Sequence, residues 1–162
     1  VRTAVEKAEA VIKPGMRFCD IDAQARDLID EAGYSEYWRI RLGHFIGQED
    51  HEYGDVSPIN KNVAEPGMIF SIEPGIYIEG SHGVRTENEL LVRKGPKNEY
   101  GQFLYFEPIT YVPIDLDAII PEMLTDQERE QLNEYHKKVY EIVAPHLNDE
   151  EREWLKEYTR AI

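Results

Sequence analysis

Between Met68 and Pro113 the chain reads as extended segments broken by turn-forming residues, and no other feature limits its fold so much. The candidate strands are Met68 to Ile72, Ile76 to Ile78, Gly83 to Val92 and Phe103 to Pro113. Asp, Pro and Gly separate them, which is the chemistry that hairpin connections require. In Gly83 to Val92 a period of two predicts Arg85, Glu87 and Glu89 on one face, with Val84, Leu90 and Val92 on the other. A strand that buries its aliphatic face would present those charges together.

Helical patterns flank this middle. Val1, Ala4, Val5, Ala8, Val11 and Ile12 recur at helical spacing and stop at Pro14-Gly15. A second helix is predicted from about Asp20 to Ala32, with Ile21, Ala25, Leu28, Ile29 and Ala32 as its apolar stripe. Gly33 is placed to supply the left-handed residue after its end. Its acidic residues, Asp20, Asp22, Asp27 and Asp30, read as a polar face complementing the helix dipole, not as ligands. Cys19 reads as a helix-entry residue. Near the other end, Thr125-Asp-Gln-Glu128 is a capping box opening a helix through Val143, with Leu132, Tyr135, Val139 and Ile142 along one stripe. Pro145 ends it, and Asn148-Asp-Glu-Glu151 starts a shorter helix with Trp154, Leu155 and Tyr158. Two helices, a strand-rich middle and two more helices give an α+β order.

Charge and cysteine usage narrow the partners. With 32 acidic against 18 basic residues the formal charge is −14, which argues against nucleic acid, whose phosphates need clustered Lys and Arg. No apolar run approaches a membrane span, so no membrane partner is expected. Cys19 is alone, which excludes an intramolecular disulfide and points to a reducing, cytoplasmic compartment. The chain starts at Val1 inside a helical pattern, so it is expected to be a piece of something longer.

The chemistry-bearing stretch is Arg41-Leu-Gly-His-Phe-Ile-Gly-Gln-Glu-Asp-His-Glu52, with His44 and His51 seven apart. Two later carboxylates answer it. Glu73 sits where a strand ends at Pro74-Gly75, a position from which a side chain projects into a cleft. Glu87 lies in Gly83-Val-Arg-Thr-Glu-Asn-Glu89. One imidazole and two carboxylates suit a hard or borderline divalent cation. His82, His136 and His146 lack partners at a meaningful spacing and read as solvent-facing or packing residues.

The segments Arg41-Leu-Gly-His-Phe-Ile-Gly47, Ser71-Ile-Glu-Pro-Gly-Ile-Tyr77 and Gly83-Val-Arg-Thr-Glu-Asn-Glu89 resemble the Xaa-Pro aminopeptidases, which share the pita-bread fold with prolidase and methionine aminopeptidase. Phe106-Glu-Pro-Ile-Thr-Tyr-Val-Pro-Ile114, Leu124-Thr, Leu132-Asn-Glu-Tyr-His136 and Trp154-Leu-Lys look like the C-terminal extension of the longer aminopeptidase P enzymes. The resemblance implies a partial pita-bread fold, with residues 1–95 the C-terminal portion of the peptidase domain and 96–162 the extension. It implies hydrolysis of the bond between an N-terminal residue and a following proline. It also implies two divalent metals per complete site, manganese first, cobalt or zinc as alternatives. By resemblance, His44 is a metal ligand, Glu73 a ligand and proton shuttle, and Glu87 the bridging ligand. His51 steadies the substrate, and Arg85 supports the site.

Two departures accompany the match. The family's paired aspartates lie on a hairpin upstream of the first helix here, and Asp20 and Asp22 fall in a later segment. At most one metal is therefore expected on this stretch of chain. Ile40 stands where the family has a substrate-contacting histidine, which supports an alternative: an inactive scaffold that binds peptides or proteins. Half of a sheet domain exposes strand edges, so association with a second copy or with an N-terminal portion is expected.

Overall fold

Helix α1, Phe18–Glu31, is held at its start by backbone carbonyls of a later loop, with no side-chain cap. Phe18 N donates to Asn62 O at 2.9 Å and Cys19 N to Asn60 O at 2.8 Å, satisfying amides that an isolated helix leaves open. The helix therefore begins two residues before Asp20, and Cys19 lies within its first turn instead of at the entry. In the computed structural model, which describes Ala4 and residues 15–162, the helix read over Val1 to Ile12 falls outside the described residues except for Ala4, which is helical and buried. Gly33 takes φ +81°, the left-handed conformation expected of it.

Seven strands follow: β1 Gly43–Phe45, β2 Glu52–Val56, β3 Ile69–Ile72, β4 Gly75–Ile78, β5 His82–Arg85, β6 Asn88–Asn98 and β7 Gly101–Pro108. Five form an antiparallel sheet in the order β2-β1-β3-β6-β7, while β4 and β5 pair as a separate hairpin. The α+β architecture is thus as expected, but the single strand read over Gly83 to Val92 is two. Its first half pairs with β4, Ile76 facing Val84, and its second half pairs with β3, Ile69 facing Leu91. The chain has to leave one ladder to join the other, so the period of two breaks at Thr86-Glu87. Val84 is consequently 51% exposed and does not share the core with Leu90 and Val92.

One face of the sheet packs on α1. Phe18 meets the rings of Phe45 and Phe70 edge-on at 4.9 and 5.1 Å, and Ile21, Ala25, Leu42, Val56, Ile72 and Leu90 are fully buried around them. Each of these side chains larger than alanine contributes roughly 1.5–3 kcal/mol by burial, which fixes the register of β3 and hence its other face. Asp22 belongs to this buried side too. It is 1% exposed and receives Arg26 Nε and Nη2 at 2.8 and 2.9 Å, so it is not part of the solvated face expected for it.

The chain divides into two units, residues 1–110 and 111–162. The second contains α2, Asp126–Val143, and α3, Asp149–Tyr158. Both open on reciprocal capping boxes, Thr125 with Glu128 and Asn148 with Glu151. Val139, Ala144 and Leu155 are buried together, with Tyr135, Tyr140 and Leu147 packed against them. Leu132, His136 and Val139 are the most buried residues of α2, and Ile142 lies at the stripe's edge. His136 is a packing histidine whose Nε2 accepts from Ile114 N at 3.0 Å.

Candidate metal centre

The site lies on the sheet face where Ser71 projects, away from Phe70 and Ile72. Strand β1 crosses β3 at very short range: a Cβ on Gly43 would come within 1.8 Å of the Ser71 carbonyl oxygen. Only glycine permits that approach. It delivers the next residue, His44, with its amide donating to Ser71 Oγ at 3.0 Å. The same hydroxyl donates to Glu73 Oε1 at 3.0 Å, and Glu73 N donates to Leu42 O at 2.7 Å. One buried serine therefore ties the His44 backbone and the Glu73 side chain to the crossing.

His44 Nε2 lies 3.4 Å from Glu73 Oε1, and both side chains are about nine-tenths buried. His44 Nδ1 is 3.2 Å from Phe45 O. A proton on Nδ1 donates there and leaves the Nε2 lone pair facing the carboxylates, the tautomer that metal ligation needs. Glu87, in the connection between β5 and β6, completes a group in which His44, Glu73 and Glu87 each offer one atom within 4.8 Å of the others. Arg85 lies beside both carboxylates, Nη1 3.7 Å from Glu73 and Nε 3.5 Å from Glu87. Partial burial, and then the like charge of Glu73, push the Glu87 carboxyl above its usual range, against the pull of Arg85 and His44. A mixed imidazole and carboxylate set with excess negative charge fits a divalent cation in its donors and in its electrostatics.

His51 is exposed, and the turn between β1 and β2 brings its ring into a stack on His44, centroids 3.8 Å apart and planes 11° off parallel. The pairing of β1 with β2 is irregular between His44 and Phe45, and Gly54 at φ +130° lets the Phe45 ring lie against its backbone. A cleft of about 220 Å³ opens here, lined by Ile40, Arg41, His44, His51, Glu73 and Arg85. All five residues singled out from the sequence thus converge. Ser71 was missed, although its signal was available: it lies two residues before Glu73, on the same face of the strand. His82 is exposed and its Nδ1 is 2.8 Å from Ser81 Oγ, while His146 is exposed at the end of α2.

An antiparallel sheet backed by α1, with a histidine and two glutamates gathered on its other face, defines the pita-bread class of metallohydrolase folds. Residues 1–94 match metallopeptidase family M24, and residues 102–162 match the C-terminal region of peptidase M24. The chain belongs to that family of divalent-metal peptidases. An uncharacterized peptidase of Staphylococcus saprophyticus is 51% identical over 92 residues, 57% of this chain and 26% of that protein. The chain thus spans about a quarter of the length of the curated relatives it matches. The X-prolyl aminopeptidase of Caenorhabditis elegans, described as a cytosolic enzyme with a di-nuclear active site, covers 98% of this chain and 27% of its own at 26% identity and TM-score 0.73. The Xaa-Pro dipeptidase of Bacillus anthracis is 37% identical, with TM-score 0.58, over 71% of this chain and 30% of that one. The Pyrococcus horikoshii prolidase is 44% identical, with TM-score 0.54, over 56% and 26%. Among the described residues no helix is long and apolar enough to cross a membrane.

Proposed function

We propose that this chain forms part of an Xaa-Pro aminopeptidase, with residues 1–95 in the peptidase domain and 96–162 as its C-terminal extension. The observation that carries the reading is the convergence of His44, Glu73 and Glu87 within 4.8 Å. These three would hold one divalent ion, manganese first, with cobalt or zinc as alternatives, and a complete site would hold two. Bound there, the metal would act as a Lewis acid and lower the pKa of its water. Glu73, nearly buried and oriented by Ser71, is suited to take up a proton and return it to the departing prolyl nitrogen. His51, exposed at the mouth, is placed to steady the peptide carbonyl. Arg85 keeps the two carboxylates together. The substrate is a peptide with proline at its second position. Association with a second copy or with the N-terminal portion belongs to the same proposal. So does a cytoplasmic location, which the lone Cys19 supports.

The deciding experiment is hydrolysis of a leucyl-prolyl peptide by the full-length protein. Turnover is expected with manganese and is lost on chelation. Equal cleavage of peptides with and without proline at the second position would overturn the specificity.

Two further results are expected of the metal centre. Ser71→Ala removes the hydroxyl that orients His44 and Glu73, so manganese affinity by calorimetry should fall roughly 10–100-fold, the usual cost of losing an outer-shell partner. Unchanged affinity would remove Ser71 from the account. The second concerns pH. Glu87 must be ionised to ligate, and its folded-state carboxyl sits above the ordinary value of about 4.3. Manganese affinity should therefore decline on acidification while the pH is still above that value. Without metal the sign is opposite: the raised carboxyl costs folding stability above its folded pKa, and acidification relieves the cost. Titrations across pH 4 to 7 in two buffers of different ionisation heat measure the proton release.

A further inference from the structure

The buried Asp22 and its partner Arg26 have no place in the metal centre, yet they connect to its cleft. Arg26 is gripped at both ends of its guanidinium edge by Asp22, at 2.8 and 2.9 Å. The paired guanidinium lies over the Trp38 ring with its central carbon 4.6 Å from the centroid. Trp38 Nε1 donates to the carbonyl oxygen of Ile40, and Ile40 lines the cleft beside His44 and Glu73. A planar cation fixed by a buried carboxylate holds the indole in one orientation, and the indole N–H holds the backbone of the cleft wall.

We propose that Asp22, Arg26 and Trp38 form a brace from α1 that holds the Ile40–Arg41 wall of the cleft, which makes them positioning residues for peptide binding. The inference rests on the peptidase reading above. The brace acts on the wall and not on the metal ligands, because Leu42 is secured separately. Its side chain is fully buried, its amide donates to Val56 O at 3.0 Å, and its carbonyl receives Glu73 N. A displaced Ile40 therefore leaves Glu73 and His44 where they are. The expected signature is weaker peptide binding with unaltered metal affinity.

Trp38→Phe tests this in the full-length protein, since it keeps an aromatic ring for Arg26 and loses the N–H. KM for a leucyl-prolyl peptide should rise about three- to tenfold, the worth of one neutral hydrogen bond, with kcat within about twofold. Manganese affinity should match the parent, and the melting temperature should fall by a few degrees at most. The paired substitution Asp22→Asn with Arg26→Leu should raise KM similarly without stranding a buried charge, and it is read instead if Trp38→Phe does not fold. Unchanged KM in the folded variants overturns the brace while the peptidase reading stands. Lowered manganese affinity in either variant overturns it too, because the brace would then be acting on the ligands. A parent protein that cleaves no Xaa-Pro peptide overturns the peptidase reading and this inference with it.

Discussion

Gly43→Ala is expected to cost about 4 kcal/mol or more, among the largest effects a single methyl group produces. The added Cβ would sit 1.8 Å from the carbonyl oxygen of Ser71, which is backbone and cannot rotate aside. Strand β1 has to separate from β3, and the bonds from His44 N to Ser71 and from Glu73 N to Leu42 go with it. At about 2–4 °C per kcal/mol for a chain of this size, melting followed by circular dichroism should drop by roughly 10 °C. Gly47→Ala is the control. Its Cβ would meet the carboxylate end of Glu52 at 2.8 Å, a flexible group that swings away cheaply. If the two variants melt together, the tight crossing of β1 and β3 is not what organises the site.

The second large effect belongs to the ligands. His44→Ala combined with Glu87→Ala removes two of three donors and leaves Glu73 facing Arg85. Manganese binding should weaken by more than the roughly 10–100-fold attached to losing an outer-shell partner, to the point where calorimetry records no saturable heat. The fold should survive, because neither His44 nor Glu87 belongs to the apolar core and Ser71 still bonds Glu73. Parent and double variant binding manganese alike would end the assignment of this group as a metal centre.

Much of this organisation was legible in the residues. Capping boxes at Thr125 and Asn148 are local chemistry, completed within four residues, and both helices begin where they predict. The α1 stripe and the turn at Gly33 are equally local. His44, Glu73 and Glu87 could be named because each sits in a short segment whose neighbours resemble a known peptidase family. The segments that failed share a different cause. Strand β1 is three residues long, too short for a period of two to register, and its pairing with β2 is irregular, so the hairpin that carries His51 onto His44 left no pattern. Gly83 to Val92 alternates as one strand would, and only the competing demands of β4 and β3 divide it. Asp22 looks like any acidic residue on a helix face. Its partner Arg26 stacks on Trp38, sixteen positions from Asp22, and spacing along one helix carries no information about that contact.

The long hairpin of β6 and β7 has a consequence for how such chains are assembled over evolutionary time. The match to metallopeptidase family M24 stops at residue 94 and the match to its C-terminal region starts at 102, so the seam between the two modules falls inside one hairpin. Cross-strand pairs run continuously from Leu90 facing Pro108 to Lys94 facing Leu104, while Glu99 and Tyr100 at the tip are exposed and pair with neither strand. A cut at either edge of the seam, after Lys94 or before Gln102, would divide a strand. The tip is the splice point that preserves both strands, and extra sequence grafted there would lengthen the loop without disturbing the sheet.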